Sequence, residues 1–192
     1  MEEQFKIEEE ILKRCFICID LPLETRKYLE EVQEILKKKS FFHGKFTEFE
    51  NLHLTLKFLG EISEDKIVEV KERLKKIKFN IFPAHLDEVG VFSERFISII
   101  WIKLGGKGIF ELQKQVDDSL RGLFEAEKKF MSHVTIARPK KVFDKKILLD
   151  YLYKMKIKKE DFNVERFFLK SSDLMEDGPV YSTIEEFFAE KV

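Results

Sequence analysis

Two of the four histidines stand in the same four-residue frame: His53-Leu54-Thr55-Leu56 and, 80 residues later, His133-Val134-Thr135-Ile136. The chain has only five threonines, so a repeated pairing of imidazole with hydroxyl two positions on asks for a mechanism, although any short motif also needs its structural context. Imidazole has an ordinary pKa near 6.5 and can take or give a proton at neutral pH. Two histidines, one neutral and one protonated, can activate a nucleophile and protonate a leaving oxygen. Threonine hydroxyls can donate hydrogen bonds to oxygens that carry negative charge.

Such a set works only if rigid elements hold it. In a strand, residues i and i+2 share a face. His53, Thr55 and Lys57 are therefore predicted to face one way, and Leu52, Leu54, Leu56 and Phe58 the other. The second copy sets His133 and Thr135 against Val134 and Ile136. An apolar face fixes the register of each strand and presents the polar pair on a firm support. Two such strands across a cleft bring two imidazoles and two hydroxyls together. Arg138, five residues beyond His133, points away on ideal parity and reaches the same pocket only past a bulge or at a strand end.

The flanking sequence reads as alternating strands and helices. Residues 1–14 pattern as a short amphipathic helix, and Cys15–Asp20 as a buried strand. Pro22 opens a helix in the favoured first-turn position, and its Lys37-Lys38-Lys39 end suits the helix dipole. A strand over 52–59 ends at Gly60, and Ser63 caps a helix running to about residue 77. Strand-like alternation spans 79–92, broken near Pro83; 96–104 is the strongest strand signal. A helix over 109–127, a strand over 132–138 stopped by Pro139, a helix over 145–155 and strands over 164–174 and 179–188 complete the chain. Strand, helix and motif strand recur in each half, which indicates an internal duplication within one domain over 1–192.

The bulk numbers narrow the function. With 35 basic and 36 acidic residues the net charge is −1, which argues against holding long nucleic acid by bulk electrostatics but leaves room for a local phosphate pocket. No apolar run approaches a membrane span and the first 14 residues lack a signal-peptide core, so a cytoplasmic protein, working as a monomer, is expected. Cys15 and Cys18 would lie on opposite faces of a strand, too far apart for a disulfide. No His/Cys spacing indicates a metal site, and no cofactor is expected. His43 and His85 lack the frame and are expected at the surface.

Longer stretches around the motifs resemble a known family. Phe16-Ile17-Cys18-Ile19-Asp20-Leu21-Pro22, Glu50 through Gly60, Ser132 through Arg138, and Gly178-Pro179-Val180-Tyr181 are similar, in order, to segments of the 2′-5′ RNA ligase family within the two-histidine phosphoesterases, which also include RNA 2′,3′-cyclic phosphodiesterases. Residues 1–14 extend beyond the family's usual start, and Phe46 stands where the family often carries Trp. The resemblance implies a bilobal α+β fold: two antiparallel sheets related by a pseudo-twofold, helices outside, and a central cleft lined by both His-x-Thr pairs.

It also implies hydrolysis of RNA 2′,3′-cyclic phosphate ends to 2′-phosphomonoesters, with O3′ leaving. The two histidines suffice for the proton transfers without a metal. His53 is assigned as proton donor and His133 as acceptor, an assignment that near-symmetric motifs leave open to inversion. Thr55, Thr135 and Arg138 would hold the phosphate, the last bidentately; Phe16 and Phe46 are candidates for base stacking. The alternatives are 2′-5′ ligation of RNA ends such as tRNA halves, phosphodiesterase action on small 2′-5′ linked nucleotides, and binding of RNA ends without chemistry.

Overall fold

The computed structural model describes residues 11–159, 161–176 and 178–190. Among them the chain order is β1 (Lys13–Asp20), α1 (Leu23–Lys39), β2 (Phe42–Phe46), a 3₁₀ turn (Phe49–Asn51), β3 (His53–Ile62), α2 (Glu64–Leu74), β4 (Phe82–Val91), β5 (Ile100–Gly105), α3 (Lys107–Ser119), β6 (His133–Val142), α4 (Lys145–Lys154), β7 (Asp161–Val164), β8 (Arg166–Met175) and β9 (Gly178–Phe188). The strands line up as β7-β4-β5-β6-β3-β1-β8-β9, with β2 also on β6. All pairings are antiparallel.

The α+β class and the two halves follow the sequence expectation. The two expected sheets are joined, however. β3 and β6 meet through one register pair, Leu54 opposite Val134, and the halves fan apart from there within one curled sheet. One face carries the main core: Ile17, Ile19, Leu54, Leu56, Val134 and Ile136 of the sheet pack with Leu29, Val32 and Leu36 of α1 and Ile109, Leu112 and Val116 of α3. α1 follows β1 but packs on β6, and α3 follows β5 and packs on both β3 and β4. No described helix is long and apolar enough to cross a membrane.

Several boundaries differ from the sequence reading. Lys13 and Arg14 already belong to β1, so the helix read over 1–14 does not reach them; residues 1–10 lie outside the described residues. β2 was not anticipated. The 96–104 strand begins only at Ile100, because Glu94 and Arg95 are held by α4 through Tyr153 and Lys145. Pro139 does not end β6: it lies opposite Gly44 of β2, where a Cβ would come within 2.8 Å of the Pro139 Cα and 2.4 Å of the Arg138 carbonyl oxygen. Cys15 and Cys18 are free, buried and on opposite faces, as expected. Burial raises the Cys15 thiol to about 11.

A matched irregularity in the two motif strands shapes the molecule most. In β3, Thr55 pairs with Cys18 and Lys57 with Ile17, which leaves Leu56 without a partner in β1. In β6, Thr135 pairs with Trp101 and Ala137 with Ile100, which leaves Ile136 without a partner in β5. Each is a β-bulge, one extra residue that reverses the side-chain parity beyond it. Lys57 and Ala137 therefore turn into the core, and Phe58 and Arg138 turn out of it. The carbonyl of Ile136 accepts from the Thr47 amide at 3.0 Å and from Gln33 of α1, whose buried amide donates to Ile136 O and Thr47 O, each at 2.8 Å. A buried carbonyl at a bulge needs such a partner.

Candidate functional site

The face of the sheet away from the helices opens as a cleft of about 620 Å³, lined by residues of both halves. His53 and Thr55 of β3 and His133, Thr135 and Arg138 of β6 all line it. Antiparallel register explains why they converge. One step to either side of the Leu54–Val134 pair brings His53 towards Thr135 and Thr55 towards His133, alternating imidazole and hydroxyl about the seam.

Both rings are held in the same way. His53 Nδ1 donates to the Asn51 carbonyl at 2.7 Å, and His133 Nδ1 donates to the Met131 carbonyl at 2.8 Å. A carbonyl can only accept, so each Nδ1 carries a proton and each neutral ring offers an unprotonated Nε2. His53 Nε2 lies 3.0 Å from Thr55 Oγ1, which donates to it in the neutral state. Burial lowers the His53 pKa to about 4, against the opposing influence of the Asn51 carbonyl and Asp20. Burial also lowers His133, with the Arg138 guanidinium acting in the same direction. Both imidazoles are thus neutral near pH 7.

Aromatic rings brace the histidines. Phe16 lies 5.0 Å from the His53 ring, and Tyr181 meets that ring edge-on at 5.3 Å. Phe92 meets His133 edge-on at 4.9 Å. Phe16 is only 3% exposed, sandwiched among His53, Tyr181 and Phe58, so it forms wall rather than open ring surface. Phe46 lines the cleft beneath the Lys37 ammonium, 5.2 Å from its ring centre.

Phe58, Phe92 and Tyr181 were not singled out as site residues in the sequence. The bulge hides Phe58, and the other two are placed by pairing between distant strands. Lys57, which straight parity put in the cleft, is instead 5% exposed in the core. His43 is exposed, and His85 faces Asp161 at 3.9 Å; neither lines the cleft.

Asn51 ties the site to the C-terminal hairpin. Its carbonyl holds His53, while its side-chain amide donates to Pro179 O at 2.9 Å and to Glu48 Oε2 at 3.2 Å. Asn51→Ala removes the last two bonds and leaves the Pro179 carbonyl short of a donor. The expected loss is about 1–2 kcal/mol of stability, checked by urea unfolding.

A duplicated antiparallel sheet that sets two imidazoles and two hydroxyls at its seam has the groups to meet a phosphate ester. The chain belongs to the LigT-like phosphoesterase family, whose pattern it matches over residues 19–101 and 104–181. It is 34% identical over 178 residues to the RNA 2′,3′-cyclic phosphodiesterase of Methanocaldococcus jannaschii, covering 90% of this chain and 99% of that protein. It is 35% identical over 175 residues to the protein of the same name from Aquifex aeolicus, covering 85% and 93%. Among solved structures, TT0787 of Thermus thermophilus has a TM-score of 0.79 at 26% identity over 91% of this chain and 97% of that one. The apo form of E. coli LigT shares the fold with a TM-score of 0.74 at 21% identity, over 94% and 99%.

Proposed function

We propose that the chain hydrolyses RNA 2′,3′-cyclic phosphate ends to 2′-phosphomonoesters by acid–base catalysis between His53 and His133. One observation carries this reading: both rings are locked through Nδ1 to main-chain carbonyls, which leaves Nε2 of each for proton transfer in a cleft that Thr55 and Thr135 also line. His133 Nε2 takes a proton from water as the oxygen attacks phosphorus. The P–O3′ bond breaks, and His53, protonated at Nε2, delivers its proton to O3′. The negative charge of the cyclic phosphate favours protonation of an imidazole beside it, which offsets the burial that otherwise keeps His53 neutral.

Thr55 and Thr135 donate to the non-bridging oxygens, and Arg138, turned into the cleft by its bulge, adds a charged fork. Phe46 and Phe58, the latter 68% exposed, are the rings with surface for a base. Both halves of the site come from one chain, which supports a monomer as the working form. The substrates of this reading are RNA ends, tRNA fragments among them, met in the cytoplasm. The names of the curated relatives point to the same substrate.

The test is incubation of the purified protein with a short RNA ending in a 2′,3′-cyclic phosphate, in EDTA, with 2′- and 3′-phosphate products resolved. The expected product is the 2′-phosphate. A 3′-phosphate would mean that O2′ leaves, and absence of turnover would overturn the reading.

A further inference from the structure

The ribbon formed by β2 and the far half of β6 carries charge that strand pairing does not use. β5 leaves β6 at Ala137, and β2 accompanies β6 from there to Val142. Lys45 stands directly opposite Arg138, and His43 directly opposite Lys141. A register shift between His43 and Gly44 leaves Lys140 without a partner in β2. Phe42 and Pro139 turn to the buried side, while His43, Lys45, Arg138, Lys140 and Lys141 are all exposed. One residue past β6, the Phe143 amide donates to the Phe41 carbonyl at 3.0 Å, and Phe143 itself is 62% exposed.

Like charges directly opposite one another disfavour strand pairing, so the Lys45–Arg138 pair does not serve the stability of the sheet. No acidic residue occurs from Phe41 to Thr47 or from Ala137 to Phe143. The carboxylates that flank these segments have other partners: Glu48 accepts from the Asn51 side chain at 3.2 Å, and Asp144 caps α4 by accepting from the Ile147 amide at 3.0 Å. Elsewhere on the surface lysines are matched with carboxylates, as Lys71 is with Glu185 and Lys103 with Glu88. In a chain of net charge −1, the ribbon is a local concentration of positive charge.

We infer that the outward face of this ribbon is a track for the RNA strand upstream of the terminal phosphate, with Lys45, Lys140 and Lys141 on backbone phosphates and Phe143 under a base. This rests on the functional reading above and deepens it: the substrate is a single-stranded oligonucleotide rather than a lone nucleotide. Lys45 and Arg138 also line the cleft, so a strand whose 3′ end reaches the two histidines can leave across that pair. At about 3.3 Å per residue of strand, Phe143 lies on the order of 15 Å beyond Arg138, room for a few nucleotides. Cations for the backbone and an open aromatic ring for a base hold single strands without reading their sequence. An acidic peptide would satisfy the cations but offers no flat base to Phe143.

The experiment is a fluorescence-anisotropy titration of the full chain with a short unstructured RNA, labelled at its 5′ end and closed by a 3′-phosphate, over a range of salt. Unlabelled competitors lengthened from one to several nucleotides should displace it from the wild type increasingly well. Lys140→Gln combined with Lys141→Gln is expected to raise Kd about 10-fold and to flatten the plot of log Kd against log salt by about 1.4, as for two lost phosphate contacts on a single strand. Lys140→Arg with Lys141→Arg should bind as the wild type does. Phe143→Ala should raise Kd about 5-fold or more and leave the salt slope unchanged. Lys75→Gln with Lys76→Gln, the same loss of charge at the end of α2, should change Kd less than about twofold. Competitors that gain nothing with length, an unchanged Kd in the Lys140/Lys141 glutamine variant, a loss matched by the α2 variant, or tighter binding of a glutamate-rich peptide than of RNA overturns the inference. Binding needs no turnover, so failure of the wild type to open a cyclic phosphate would count against the functional reading alone.

Discussion

Replacing either His53 or His133 by alanine is expected to lower kcat/KM on a 2′,3′-cyclic phosphate end by about 10²–10⁴-fold, the usual contribution of one positioned proton transfer. Replacing both should cost little more than the worse single change. The acid and the base act in one step, and groups that act as a unit are far from additive. The hydrogen bonds that each imidazole makes lie within its own strand segment, to Asn51 and Thr55 for His53 and to Met131 for His133, so the substitutions remove no bond between strands. Steady-state kinetics across pH provides the check. The wild type should give a bell-shaped profile, and each single variant should lose one limb. A bell that survives in His53→Ala would exclude His53 as the donor.

The same substitution has a stability signature. His53 titrates near 4 in the folded chain and near 6.5 when unfolded. The unfolded chain thus binds more protons between those values, and the stability that His53 contributes above pH 6.5 is lost as pH falls towards 4. His53→Ala should lose stability less steeply over that window, as measured by urea unfolding at pH 7 and pH 4.5.

The second large effect is on stability. Lys57→Met is expected to destabilise the fold by about 3–5 kcal/mol, the range for breaking a buried pair from one side. Lys57 Nζ donates to Asp117 Oδ1 at 2.5 Å and to the Glu125 carbonyl at 2.6 Å, and the paired side chains are 4% and 11% exposed. Burial alone would raise the Asp117 carboxyl, but the Lys57 ammonium, the Glu127 amide and the Gln113 side chain together hold it below its ordinary value. Its contribution is present above the unfolded carboxyl pKa near 3.9 and is lost as pH falls through the lower folded value. The gap between wild type and Lys57→Met should therefore narrow below about pH 4. Lys57→Met combined with Asp117→Leu should recover part of the loss, because removing both charges leaves none unpaired. Equilibrium urea unfolding of the three proteins decides it.

Lys57 also shows where reading along the chain stops. The two His-x-Thr frames, their placement on strands, the duplication and the α+β class were all legible, because they rest on local spacing and on an apolar face that repeats every second residue. The framing of Ser63 as a helix cap held for the same reason: its hydroxyl accepts from the Lys66 amide within one turn. Parity beyond Leu56 was not legible, and beyond Ile136 a bulge was one of two ways left open for Arg138 to reach the pocket. A bulge costs one residue of register and has no residue-type signature in these strands, and each is defined by a partner strand more than thirty residues away. That one step sends Lys57 into the core, turns Phe58 outward and brings Arg138 into the cleft.

β2 was missed because a short edge segment, Phe42–Phe46, gains its order from pairing with β6 rather than from its own pattern. Phe92 and Tyr181 reach the histidines for a similar reason, through loops and strands far away in sequence. Local chemistry and period determined which residues could act. The long-range register of β1, β5, β8 and β9 decided which of them meet, because hydrogen bonds between strands are chosen by the packing of the whole sheet.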